Sequence, residues 1–137
     1  AHNNPEKWHH GLQITLNAPY FLTHAMLPLL DQSDRASVIF FAHEEVAHGD
    51  KAYWGSYAVA KAGLMTLMKT FALENESQGK IAFNAVDPIC INSSLRMSVM
   101  PEGSPDAREL RKVIDLVWKL NDPAEAFVTG SILTVDE

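Results

Sequence analysis

The chain has 137 residues, of which 11 are lysine or arginine and 17 are aspartate or glutamate, so its formal net charge is −6. With 47% hydrophobic and 20% charged residues, its composition is globular, which excludes general disorder. The acidic balance argues against nucleic acid or an anionic membrane surface as the main partner, because both bind clustered lysine and arginine. The length predicts one domain.

The sequence shows no targeting or membrane signal. No apolar run reaches the roughly 18 residues of a membrane span, and the start, AHNNPEKWHH, is too polar for a signal peptide. The single cysteine, Cys90, cannot form an intrachain disulfide. We therefore expect a cytoplasmic protein with no membrane partner. Because the first residue is Ala1 and not methionine, we also expect the chain to begin within a longer sequence.

Residues 5–30 predict one long helix. Pro5 fits its first turn, and Asn4 is placed to cap it. The second half of this segment is apolar on most sides, which predicts that the helix is buried on most sides. Pro19 lacks a backbone N–H, so the helix should kink or break near Asn17.

Short apolar strands and helices alternate over the rest of the chain. SVIFFA at 37–42 is a continuous apolar run, which is typical of a parallel strand covered on both faces. The further predicted elements are a loop at 43–53, a helix at 55–75 ended by Gly79, a strand at 80–87, a loop at 89–104, a helix at 108–120 and a strand at 131–137. This order predicts an α/β fold with about three parallel strands and three main helices.

The segment YWGSYAVAKAG places Tyr57 and Lys61 four residues apart on one helix face. A phenol ionises at about pH 10, and a neighbouring ammonium lowers that pKa. Such a pair can act as a general acid and base toward a carbonyl or an alcohol. Because many helices carry this spacing by chance, the spacing alone favours two unrelated residues.

The wider context resembles the short-chain dehydrogenase/reductase family over nearly the whole chain. LNAPYFLTHAMLPLL resembles the family's kinked helix, YAVAK its Tyr-x-x-x-Lys motif, IAFNAVDP the strand before its Pro-Gly turn, and Thr129-Gly130 with ILTVD its last strand. The resemblance implies a Rossmann-type, doubly wound sheet. It also implies that residues 1–137 are the C-terminal half of an NAD(P)-binding domain, in a parent that transfers a hydride between NAD or NADP and a carbonyl or alcohol substrate.

The resemblance also implies the site residues. Tyr57 would be the acid/base, Lys61 would bind the nicotinamide ribose, and Asn17 would hold a water in a proton relay. Pro88 and Ser93 would lie against the cofactor. Two alternatives stay open: Asn17 could fill the backbone gap opened by the proline two residues later, and Ser93 could be an ordinary loop serine.

The sequence departs from the family at the expected catalytic serine, whose position holds Glu44. An ionised carboxylate has no proton to donate, and it would oppose a nearby tyrosinate. His43 could donate instead, or Glu44 and Glu45 could simply be solvated loop charges. His43 and His48 share a loop with acidic residues but form no metal motif, so we expect no metal site.

Two further departures concern the cofactor. Ile89 replaces the glycine of the Pro-Gly turn, and none of the seven glycines forms the G-x-x-x-G-x-G phosphate loop. We therefore expect this chain alone to bind no NAD or NADP and to be inactive. The alternative is a non-catalytic half-domain that acts as a dimerisation or binding module. For either case we expect a homodimer or higher oligomer through the helices at 5–30 and 55–75.

Overall fold

The computed structural model describes residues 4–49, 52–88 and 107–135. Within these residues, three strands form one parallel sheet in the order β1-β2-β3. The strands are β1 (Ala36–Phe41), β2 (Ile81–Asp87) and β3 (Ile132–Thr134). The predicted α/β class and the three parallel strands are thus confirmed.

The helices follow the predicted order with one addition. They are α1 (Pro5–Leu12), a π-helical turn (Gln13–Asn17), α2 (Ala18–Leu30), α3 (Glu44–Ala47), α4 (Gly55–Asn75) and α5 (Ala107–Asn121). Helix α4 has the predicted bounds, and the helix predicted at 108–120 extends by one residue at each end. The loop predicted at 89–104 lies outside the described residues.

The first predicted helix is interrupted by a π-helical turn just before Pro19. The side chain of Asn4 accepts a hydrogen bond from the Glu6 N–H at 2.9 Å, as expected for a cap. The π-helical turn ends at Asn17, directly before α2. The N–H of Ala18, the first residue of α2, donates to the Gln13 carbonyl, five residues back. Pro19 cannot donate the next bond, so the wider turn lets the helix continue past the gap.

The core lies around β2 and α4. All seven residues of β2 are buried, and because successive side chains point to opposite faces, both faces of this strand are covered. The ring of Phe71 on α4 stacks on Phe83 of β2 at 5.3 Å between centroids, and Tyr20 of α2 stacks on Phe71 at 6.1 Å. One aromatic stack therefore connects α2, α4 and the central strand.

Helix α2 is far less buried than its apolar sequence predicts. Thr23 is its only buried residue, whereas Phe21, Leu22 and Leu29 expose 63%, 66% and 58% of their surface. The prediction of burial on most sides is wrong here because, within the described residues, α2 is covered on one side only. The apolar pattern indicates a surface whose burial is favourable, but it does not indicate which molecule packs against that surface.

Helix α3 is the element that the sequence did not predict. The Asp87 carboxylate accepts a hydrogen bond from the Glu44 N–H at 2.7 Å, and the side chain of Val46 is fully buried. Acidic residues in the first turn also favour a helix start. Both contacts are long-range, so the local pattern of residues 43–53 indicated only a loop.

Arg35, just before the amino end of β1, holds the segment between α5 and β3 by hydrogen bonds. Its guanidinium donates to the backbone carbonyls of Pro123, Glu125 and Ala126, which fixes the connection between α5 and β3. Across the described ranges, no helix is both long and apolar enough to cross a bilayer.

Candidate active site

The polar residues of interest meet where β1 and β2 end. Phe41 pairs with Val86 in the parallel register, so His43 and Glu44 follow β1 at the same edge at which Asp87 ends β2. Ligands in open parallel sheets bind at the carboxyl ends of the strands. Helix α4 begins beside this edge and brings Tyr57 and Lys61 to it.

Lys61 is anchored to the end of β1. Its Nζ donates a hydrogen bond to the Phe41 carbonyl at 2.6 Å and lies 5.5 Å from the centre of the Tyr57 ring. Burial lowers the pKa of Lys61, while the Asp87 carboxylate acts in the opposite direction. The ammonium therefore lies against the phenol ring, at the edge of the sheet.

The pKa of Tyr57 moves in the direction opposite to the prediction. Burial raises the pKa of this phenol, and the Asp87 carboxylate raises it further. Lys61 was expected to lower it, but its ammonium lies over the ring and hydrogen-bonds to a backbone carbonyl. As the chain folds here, Tyr57 is a neutral phenol at physiological pH.

His43 is the group that touches the Tyr57 hydroxyl. Its Nδ1 lies 3.3 Å from the Tyr57 Oη, and the two rings meet nearly at right angles, with centroids 5.9 Å apart. Trp54 packs edge-on against both rings, with centroids 6.2 Å from His43 and 5.6 Å from Tyr57. These three rings form a half-buried aromatic cluster beside the end of β1.

Asp87 is the site residue that the sequence reasoning missed. It is 4% exposed, it fixes the start of α3 through the Glu44 N–H, and its charge acts on both Tyr57 and Lys61. The carboxylate that opposes a tyrosinate is therefore that of Asp87. Its position at the carboxyl end of a continuous apolar strand was the signal that could have identified it.

The remaining predicted site residues are Asn17, Pro88 and Ser93. Asn17 is half-buried at the end of the π-helical turn and forms no capping hydrogen bond for α2. The residue before it, Leu16, lies against α4, where a Cβ added to Gly63 would stand 3.0 Å from its Cδ2. Pro88 follows Asp87 and is half-buried. Ser93, like Ile89 and Cys90, lies outside the described residues.

Metal ligands are not grouped in this region. In the part of the chain that the structure describes, no three histidine, cysteine, aspartate or glutamate side chains are arranged to hold a metal ion. His43 instead contacts the rings of Tyr57 and Trp54.

The whole chain, residues 1–137, matches the family model described as enoyl-(acyl carrier protein) reductase. The chain belongs to the short-chain dehydrogenase/reductase family. Among curated relatives, the oxidoreductase YciK of Escherichia coli K12 is 30% identical over 126 residues, which cover 89% of this chain and 48% of the relative. The chain thus spans about half the length of the curated relatives it matches.

Solved structures of this family share the fold. The structure of YciK from E. coli superposes with a TM-score of 0.86 at 27% identity and covers 99% of this chain and 55% of that chain. A short-chain dehydrogenase from Shigella flexneri 2a, complexed with NADP, superposes with a TM-score of 0.85 at 26% identity and covers 99% and 56%. The Rossmann-type architecture expected from the resemblance is therefore confirmed.

Proposed function

We propose that this chain carries the acid/base half of an oxidoreductase that interconverts a carbonyl and an alcohol with a nicotinamide cofactor. The observation that carries the proposal is the grouping of Tyr57, Lys61 and Asp87 at the carboxyl ends of two adjacent parallel strands. The bound cofactor would supply or accept the hydride. The chain's own residues would bind and orient the reactants and move the proton.

Tyr57 is the proton donor in this proposal. Because burial and Asp87 raise the pKa of its phenol, the hydroxyl is protonated at neutral pH and ready to donate to a substrate oxygen. Asp87 keeps the start of α3 in place through its bond to the Glu44 N–H. Asn17, on the π-helical turn packed against α4, would hold the relay water, and Pro88 and Ser93 would lie along the cofactor.

The described residues fit one end of a dinucleotide. An ammonium has three N–H donors, and the Phe41 carbonyl takes one from Lys61, so two can reach the hydroxyls of a ribose. The pyrophosphate end finds no cradle in this sequence, because its seven glycines lack the phosphate-loop spacing. We therefore assign nicotinamide-ribose binding to this chain and phosphate binding to sequence outside it.

The test is a hydride-transfer assay on the longest form of the protein that cells produce, with NADH or NADPH and a panel of aldehydes and ketones. Tyr57→Phe should lower kcat by about 10²-fold or more, because general acid catalysis contributes that much. Tyr53→Phe is the matched control, since Tyr53 is 81% exposed. Equal turnover by the two variants would refute the role of Tyr57.

Cofactor binding is tested separately by fluorescence titration with NADPH and NADH. Lys61→Met should weaken binding to the longest form, whereas Lys69→Met, at an exposed position of the same helix, should not. The 137-residue chain alone should bind neither cofactor well and should show no turnover. Clear hydride transfer by this chain alone would contradict that expectation.

The exposed apolar surface of α2 favours a second function, self-association. We propose that a second copy of the chain covers Phe21, Leu22 and Leu29, together with exposed apolar side chains of α4 such as Leu73. This surface would assemble the protein whether or not the site turns over. Sedimentation of the chain at micromolar concentration should therefore show a dimer or a higher oligomer.

A further inference from the structure

His43 occupies an unusual place in the candidate site. It lies two residues after the end of β1, directly precedes α3, and is the only described side chain whose polar atom lies within hydrogen-bond distance of the Tyr57 hydroxyl. Glu44, at the position where the family carries its serine, is held by its backbone N–H to Asp87. Its carboxylate has no proton to offer. The side-chain group next to the phenol hydroxyl is therefore an imidazole.

We propose that His43 exchanges a proton directly with the Tyr57 hydroxyl during the reaction. This inference rests on the proposed function. In the reductive direction, a bound nicotinamide cofactor would supply the hydride to the carbonyl carbon, and the carbonyl oxygen would take the Tyr57 proton. The phenolate then takes a proton from Nδ1 of the His43 imidazolium, which becomes neutral imidazole and is reprotonated by water. Oxidation of an alcohol reverses each transfer.

The surroundings of Tyr57 make a phenolate at this position unfavourable, so a nearby proton donor would stabilise the site during the reaction. A phenolate left at this position faces the Asp87 carboxylate in a partly desolvated site, so its charge is unfavourable. Lys61 directs its ammonium to a carbonyl and to the ring face. An imidazole 3.3 Å from the oxygen can remove that charge by giving up one proton. Histidine also titrates in the physiological range, which lets it load and unload that proton at neutral pH.

The rings of His43 and Tyr57 are held in place by their neighbours. Trp54 packs edge-on against the rings of both His43 and Tyr57, which limits how far either ring can turn. The two residues are 14 positions apart, on different elements, so the contact is made by the fold and not by one helix turn. The titratable groups on the elements packed around the pair are Glu44, Glu45 and His48 of the α3 region, Lys61 of α4 and Asp87 of β2.

The first experiment follows the histidine ring by NMR and needs no turnover. In the 137-residue chain labelled with ¹⁵N-histidine, the spectrum of His43→Gln identifies the His43 signals. Tyr57→Phe should then change the tautomer balance and the titration midpoint of His43, because the phenyl ring offers no exchange partner. Tyr53→Phe is the control and should leave both unchanged. An unchanged His43 titration in Tyr57→Phe would overturn the proposal.

The second experiment measures turnover in the longest natural form. Gln can keep a hydrogen bond at position 43 but cannot take up and release a proton, so it separates positioning from proton exchange. His43→Gln should lower kcat by about 10²-fold or more, flatten the kcat–pH profile between about pH 5 and 8, and leave the affinity for NADPH unchanged. His48→Gln should keep wild-type turnover.

The outcomes separate this inference from the proposed function. If the wild-type protein transfers no hydride to any substrate of the panel, the proposed function fails, and the NMR titration still decides whether His43 and Tyr57 share a proton. If the wild type is active and His43→Gln keeps its turnover and pH profile, the function stands and the role of His43 is overturned.

Discussion

Helices α2 and α4 share an apolar character but have different surroundings. Both are long and apolar on most sides, yet α4 buries five residues against the sheet and the first helix, whereas α2 buries only Thr23. The buried residues of α4 are Ala60, Leu64, Met68, Phe71 and Ala72. Helix α4 also carries Tyr57 and Lys61 to the site, and none of the site's described hydrogen bonds comes from α2.

The difference shows what an apolar pattern means physically. Removing apolar surface from water is favourable whichever molecule provides the cover, so the pattern itself does not identify the partner. For α4 the partners are β2 and the first helix of the same chain. For α2 we propose a second copy. The fold is therefore stabilised mainly at α4, and association should depend mainly on α2.

The largest expected effect tests the buried side of α4. Met68→Ala should lower the free energy of unfolding by about 2–5 kcal/mol, because Met68 is 0% exposed and its removal leaves a cavity. Lys69→Ala on the same helix is the control: its side chain is exposed, so the change should stay within about 0.5 kcal/mol. Urea unfolding at one fixed protein concentration measures both. Equal decreases in the free energy of unfolding for the two variants would contradict the prediction that the buried side of α4 stabilises the fold.

The second prediction concerns the exposed side of α2. Leu22→Glu should weaken self-association by about tenfold or more, since a charge enters an apolar contact at a cost of about 1.4 kcal/mol or more. Its effect on unfolding of the separated chain should be small because Leu22 is 66% exposed. Lys119→Gln on α5 also makes the net charge more negative by one, and it should leave association unchanged. A wild-type chain that sediments as a stable monomer would contradict the proposal.

The third prediction concerns the turn that follows α4. Gly79 has a φ of +61°, in the left-handed region, and no atom within 4 Å of an added Cβ. Gly79→Ala should therefore destabilise the fold by about 1–2 kcal/mol through backbone strain alone. Gly79→Asn should cost less, because asparagine adopts this conformation more readily. Equal urea midpoints for alanine, asparagine and glycine would show that this turn is not needed to end α4.

The elements of the fold were largely predictable because their signals are local. Helix α4 has the predicted bounds, and β2 begins one residue later than the predicted strand, since apolar runs between polar turns mark both. The break before Pro19 was predictable because a missing N–H acts within its own helix. Helix α3 was not, because it depends on Asp87, 43 residues away from Glu44.

The placement of Tyr57 and Lys61 on one helix face was predictable, but the contribution of Asp87 and the electrostatics of the group were not. The spacing of Tyr57 and Lys61 places both on one helix face, but it does not say that the ammonium bonds to the Phe41 carbonyl. The direction of the Tyr57 pKa was wrong for that reason, and because the nearby charge of Asp87 comes from another strand. The contact between His43 and Tyr57 likewise exists only once β1 and α4 have packed.

The smallest expected effect tests the polar side of α4 by alkaline unfolding. Tyr57 has its pKa raised above about 10, so above that pH the unfolded chain loses this proton first and the free energy of unfolding falls. Lys61 has its pKa lowered, so between its folded pKa and its ordinary value of about 10.4 the unfolded chain binds the extra proton and the free energy of unfolding rises with pH. The free energy of unfolding, measured with urea from about pH 8 to 11, should therefore no longer show the decrease due to Tyr57 in Tyr57→Phe. In Lys61→Met it should no longer show the increase due to Lys61. Tyr53→Phe and Lys69→Met should reproduce the wild-type curve, and wild-type curves for all four variants would mean that neither group is perturbed by folding.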